Sequence, residues 1–197
     1  WQFFSESTSM GMRSIVERGD LLRKIHFPNY IIVASTTMGS MISLAINLGV
    51  VILFGFFAHA HYTWRVLLVI PSIIQLYAIS LGVALLLGSL YVYFRDVGHI
   101  WEVVLQAMFY ATPIIYPISM VADKGYGWAA NLLMMVPTTQ TIMDIRHNLL
   151  SPEYVPNIWT MVDNPLLCLL PYMLSVFVLW LGIHVFRKNS AKFAEVL

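Results

Sequence analysis

Polar and apolar positions along this chain fall into long blocks rather than short alternations. Residues 25–64 contain no Asp, Glu, Lys or Arg, and residues 66–94, 103–122 and 164–186 are likewise free of charge. A helix packed in water keeps a polar face, so runs that are apolar on every side belong in lipid, and each of these reaches the roughly 20 residues that cross a hydrocarbon core. Strands of a membrane barrel would instead show segments of about 10 residues with alternating polarity, and no such alternation occurs. Helices satisfy their backbone hydrogen bonds within one segment, which lipid requires. The pattern therefore predicts an all-α, polytopic helical membrane protein with about four full spans, at residues 29–57, 66–94, 100–117 and 165–186.

The segments between the blocks carry the organisation. Ser14 to Glu17 has the S-x-x-E form of a capping box, which predicts a short helix starting there with interfacial character. Pro28 suits the first turn of the next helix. Arg95-Asp96 ends the second span, and Gly98 lets the chain turn. Pro113 and Pro117 each remove a backbone donor and are expected to kink or break the helix that contains them. Residues 118–164 form a mixed excursion whose apolar part, residues 128–136, is too short to cross. Small residues at four-residue spacing (Ser35, Gly39 and Ser43; Ala78 and Gly82; Ala84 and Gly88) permit close helix contact.

Composition agrees with lipid as the solvent: 59% of residues are hydrophobic and 11% charged, against roughly 45–50% and 25% in soluble domains. The net charge of +1 carries less information than where the charges lie. Arg13, Arg18, Arg23, Lys24, Arg95, Arg187, Lys188 and Lys192 fall on one side of the predicted spans, and only Arg65, Lys124 and Arg146 on the other. The positive-inside rule makes the first side cytoplasmic, including residues 14–28 and the tail at 187–197, and makes 118–164 external. Residues 1–13 are then the end of a span descending from outside. The basic residues form no single patch, so no nucleic-acid partner is expected. The lone Cys168 gives no disulfide framework. The six histidines lack carboxylate or thiol partners at ligand spacing, so no metal site is expected. No Gly-rich phosphate loop occurs.

Four strings in order carry a resemblance: residues 1–4, Trp-Gln-Phe-Phe; Ser14-Ile15-Val16 with Gly19-Asp20-Leu21-Leu22-Arg23-Lys24-Ile25-His26-Phe27-Pro28; Tyr91-Val92-Tyr93-Phe94-Arg95-Asp96-Val97; and Phe109-Tyr110-Ala111-Thr112-Pro113-Ile114-Ile115-Tyr116-Pro117. Together they resemble the permeases of type-2 ATP-binding-cassette (ABC) exporters, in the branch that moves polysaccharides or polyol phosphates such as O-antigen, capsule and teichoic acid chains. The resemblance runs from Trp1 to about Arg187. That family has six spans, so the resemblance implies a fragment truncated at its N-terminus. One departure is Val136-Pro137, where such permeases often carry Asn-Pro.

The resemblance implies a transporter subunit and not an enzyme. It implies an ATP-binding partner holding ATP and Mg, no cofactor on this chain, a second permease copy and a lipid-linked glycan as cargo. The setting would be a bacterial cytoplasmic (inner) membrane with the C-terminus in the cytoplasm. It further implies that residues 14–28 couple to the ATPase. The charge mix of Glu17, Arg18, Asp20, Arg23 and Lys24 beside Leu21 and Leu22 suits a polar interface with a soluble partner. The competing reading is a lipid-headgroup anchor, which does not need the acidic residues.

Arg95 and Asp96 form either a second ATPase contact or an ordinary helix end. Glu102, one turn into the next helix, is costly in lipid unless it faces protein or water, and Arg95 is a candidate partner. Aromatic rings stack on sugars, which makes Trp1, Phe4, Tyr91, Tyr93, Phe109, Tyr110 and Tyr116 candidate conduit residues, against ordinary packing and interfacial belts. An exporter of drug or haem is an alternative within the class. An ion-coupled carrier would bury charge at mid-span, and a membrane glycosyltransferase would need clustered carboxylates. Neither pattern is present.

Overall fold

The computed structural model describes residues 1–19, 28–57, 62–150, 155–162, 164–190 and 193, the side chains of residues 122 and 123 excepted. Every described element is a helix: α1 (Gln2–Glu17), α2 (Tyr30–Phe57), a 3-10 turn (Trp64–Leu68), α3 (Val69–Tyr91), α4 (Val97–Ala111), α5 (Ser119–Asp123), α6 (Gly127–Met135), α7 (Pro137–Leu149), α8 (Ile158–Met161) and α9 (Pro165–Ser190). Among the described residues three helices are long and apolar enough to cross a membrane: Tyr30–Phe57, Trp64–Tyr91 and Pro165–Ser190. The expected all-α membrane architecture is thus present.

The predicted span at 100–117 differs. The helix starts earlier, at Val97, and stops at Ala111, directly ahead of Pro113. Fifteen residues rise only about 22 Å, short of the roughly 30 Å hydrocarbon core. Pro113 breaks this helix, as its missing donor predicts. The span expected at 66–94 likewise stops at Tyr91. The Ser14–Glu17 capping box is overturned. Ser14 lies inside α1, is buried, and donates from Oγ to the Gly11 carbonyl at 2.7 Å, so no helix begins there. Pro28 precedes α2, and its carbonyl accepts from Ile31 N–H at 3.0 Å.

The chain divides into two compact units. One comprises residues 2–45, 77–106 and 176–197. Its core is apolar and joins Ile15 of α1, Ile32 and Val33 of α2, Ala84 and Leu85 of α3, Val92, Phe186 of α9, and Phe193. Lipid tails are as apolar as these side chains, so close packing, not exclusion from water, holds such helices together. Gly82 makes that approach possible. A Cβ there would lie 2.7 Å from the backbone of Leu179 in α9. By contrast, a Cβ on Gly39 would meet nothing within 4 Å among the described residues of this chain.

The other unit comprises residue 1 with residues 46–76 and 107–175. Here short helices are folded on one another: α5 against α6, α6 against α7 and α8, and α7 against α8 and the 3-10 turn. Pro137 occupies the first turn of α7, and Val136 supplies no side-chain cap. The turn between α6 and α7 thus forms without the Asn common at that place. Ile118, Ala130, Met134, Met143, Ile158, Val162 and Cys168 make its apolar core.

Candidate functional site

Within the first unit, the C-terminal part of α1 and the first two turns of α4 bring charges together. Arg13 Nη2 donates to Glu102 Oε1 at 2.5 Å, both side chains being about half exposed at 41% and 53%. His99 Nδ1 lies 3.8 Å from Glu102 Oε2. The expected partner of Glu102, Arg95, is instead stacked over the Tyr91 ring at 5.5 Å. Arg95 lies four residues after Tyr91, in the turn that follows α3, and its guanidinium covers that ring face. Arg13 is a site residue the sequence reading missed, because its partner lies 89 positions away.

Beside this pair is a cavity of about 360 Å³ whose lining includes Arg13, Glu17, Arg18, Thr36 and Glu102. Glu17 and Arg18 are exposed at the end of α1. Two of the predicted coupling residues therefore share a cavity with Glu102 of the predicted corner. Asp20, Leu21, Leu22, Arg23 and Lys24 lie outside the described residues. Asp96 is exposed, and its carbonyl accepts from the backbone N–H of His99 at 3.1 Å and of Ile100 at 3.2 Å, opening α4.

The candidate aromatics separate into groups. Trp1 meets Phe109 with ring centroids 6.0 Å apart, and Phe109 meets Tyr110 edge-on at 5.6 Å, so three of them form one cluster in the second unit. Tyr116 is half-buried and donates its hydroxyl to the Ala111 carbonyl at 2.8 Å. Phe4 is 2% exposed and packs edge-on against Trp101; its ring belongs to the packing of the first unit and offers no open face. Tyr91 lies under Arg95, and Tyr93 meets Phe193 at 6.3 Å.

The second unit holds a polar cluster that no motif announced. Gln140, fully buried on α7, donates from Nε2 to Asp144 Oδ2 and to Tyr172 Oη, and Tyr172 Oη donates to Asp144 Oδ2 at 3.1 Å. Gln75 Nε2 of α3 donates to Gln140 Oε1 at 2.6 Å and, more weakly, to Ser175 Oγ at 3.3 Å. Ser175 Oγ in turn donates to the carbonyl of Pro171, the proline inside α9, at 2.8 Å. Asp144 Oδ1 and Gln75 Oε1 have no hydrogen-bond partner among the described residues. Burial raises the Asp144 carboxyl above its ordinary range, against the lowering pull of the bonds from Tyr172 and Gln140 and of nearby His147. Arg146 of α7 donates from Nη1 to the Pro113 carbonyl at 3.0 Å, filling an acceptor at the break after α4. The only sequence signal for this cluster was the spacing of Gln140 and Asp144, one turn apart on α7.

Among the described residues no group of His, Cys, Asp and Glu is placed to hold a metal ion. Among the described residues the arrangement offers a cavity of mixed charge, an aromatic cluster and a buried hydrogen-bonded network.

Comparison with known proteins gives one consistent picture. The profile of a family described as ABC-2 type transporter matches residues 1–147. The O-antigen export system permease protein RfbA of Myxococcus xanthus is 27% identical over 195 residues, covering 99% of this chain and 71% of that protein. Two proteins of Klebsiella pneumoniae with the same name are 23% and 25% identical, each covering 100% of this chain and 71% of the relative.

Proposed function

Since the chain belongs to the ABC-2 type transporter family, we propose that it carries lipid-linked polysaccharide, or a polyol phosphate chain, across a bacterial cytoplasmic membrane. It is the membrane-spanning subunit of an ATP-driven exporter and not an enzyme, and ATP hydrolysis falls to a separate subunit. The observation that supports the cargo is the likeness along the whole chain to proteins named as O-antigen export permeases.

On this reading two permease copies work with two ATPase subunits that hold ATP and Mg. The C-terminus and the segment at residues 14–28 face the cytoplasm. The cavity beside Glu17, Arg18, Arg13 and Glu102 supports a coupling role, because its mixed charges suit a polar protein partner more than a purely anionic surface. The aromatic cluster of Trp1, Phe109 and Tyr110 supplies flat faces on which sugar rings slide with many weak contacts.

Deleting the gene tests the cargo. Lipid-linked glycan is expected to accumulate on the cytoplasmic side, and normal surface glycan would overturn the assignment. Replacing Asp20 and Leu21 by Ala tests coupling: export should fall while ATP hydrolysis and membrane insertion persist, and unchanged export removes the coupling role.

A further inference from the structure

The last helix carries a face that neither export nor coupling explains. Phe177 and Trp180 are exposed, and their rings lie nearly parallel at 29° with centroids 6.2 Å apart. His184 stacks on Trp180 at 5.5 Å and 17°. Arg187 covers the Tyr30 ring at 5.9 Å, and a groove of about 450 Å³ is lined by Trp180, Ile183, His184, Arg187 and Lys188. Neither Arg187 nor Lys188 has a carboxylate partner among the described residues. All of these residues lie in one unit.

This face is apolar and aromatic along its length and doubly cationic at one end. Trp180 and Phe177 lie seven and ten positions before Arg187, about 10 and 15 Å along the helix axis. A phosphate between two cations, with an acyl chain running down flat rings, has that same division between charge and apolar length. We propose that the groove holds one anionic glycerophospholipid, its phosphodiester on Arg187 and Lys188 and an acyl chain along Trp180 and Phe177. Aromatic belts alone account for single rings at the interface. They do not require a stacked series leading to two cations that have no carboxylate partner among the described residues. Charge complementarity selects the occupant, since a zwitterionic lipid would leave the surplus charge unanswered. The site does not depend on which leaflet it faces, so it stands apart from the orientation and from the cargo.

The test uses the full permease–ATPase complex in a neutral detergent, titrated with phosphatidylglycerol or with phosphatidylcholine of the same chains, and read by native mass spectrometry. The complex should retain phosphatidylglycerol at concentrations where phosphatidylcholine is lost, and 0.5 M salt should weaken that retention. Arg187→Ala with Lys188→Ala should weaken it about thirtyfold, at roughly 1 kcal/mol for each cation near a charged lipid surface. Arg187→Lys with Lys188→Arg should keep it. Trp180→Leu should shorten retention while sparing the preference for the anionic headgroup. Equal retention of the two lipids, or no loss in the double alanine variant, overturns the proposal. So does loss of the ATPase subunit in that variant with lipid retained, or retention of undecaprenyl diphosphate in place of phosphatidylglycerol. Should the double alanine variant fail to fold, the salt dependence and the lipid preference of the unaltered complex decide alone.

Discussion

The two units of this chain are held together by different chemistry. The unit of residues 2–45, 77–106 and 176–197 has an apolar centre and carries its ion pair, Arg13 with Glu102, half exposed. The unit containing residues 107–175 puts amides and a carboxylate among its most buried groups: Gln140 is 0% exposed and Asp144 7%. Apolar packing depends on volume and tolerates swaps that conserve it. A buried network depends on every partner, because each unpaired group bears its full desolvation cost. The first unit should therefore be sensitive to added bulk, and the second to the loss of single atoms.

The contrast can be broken most directly at Gly82. Gly82→Val forces a side chain into the α9 backbone and should cost about 3 kcal/mol or abolish stable insertion, read as the thermal midpoint of the purified complex. Gly39→Val, placed where nothing lies within 4 Å, should change it by less than about 0.5 kcal/mol. Equal effects at the two glycines would contradict the close crossing of α3 and α9.

Gln140→Leu keeps the volume but strips Asp144 and Gln75 of a partner, and should cost about 2 kcal/mol. A neutral result would mean that the network is not under tension for partners. Asp144 sharpens the comparison through pH. Its carboxyl is raised by burial, so its stabilising contribution is complete below the ordinary Asp value of about 3.9. That contribution is lost as pH rises through the raised folded value. The midpoint of the unaltered protein should fall over that range, and Asp144→Asn should flatten the dependence. An identical slope in the variant would remove Asp144 as its source. The smallest effect is expected at the half-exposed pair. Arg13→Ala should cost at most about 1 kcal/mol in stability, and Arg13→Glu with Glu102→Arg should restore what is lost.

Three of the four predicted spans were legible because a long charge-free run has only one comfortable solvent, while the run at 100–117 stops short at Ala111, a break that Pro113 announced because a missing donor acts locally. The network was not legible. Gln75, Tyr172 and Ser175 read as single polar residues inside apolar runs; Gln75 and Tyr172 reach Gln140 of α7 across 65 and 32 positions, and Ser175 joins only through Gln75, 100 positions away. Ser14 misled for the opposite reason: a serine three residues before a glutamate fits a helix start and a helix interior equally well. What decides is Gly11, whose carbonyl lies within reach of Ser14 Oγ only when the helix already continues through it. Glu102 was assigned to the nearest arginine in sequence, whereas folding brought it a more distant one. Of the predicted coupling and corner residues, the cavity gathers Glu17, Arg18 and Glu102.

The length of α2 has one more consequence. Its 28 residues rise about 42 Å, some 12 Å beyond a hydrocarbon layer of about 30 Å. The excess must be taken up by leaning, bending or swelling the surrounding bilayer, each at a fraction of a kcal/mol per ångström. This helix therefore makes the protein responsive to membrane thickness: longer acyl chains would relieve the mismatch and shorter ones would steepen the lean.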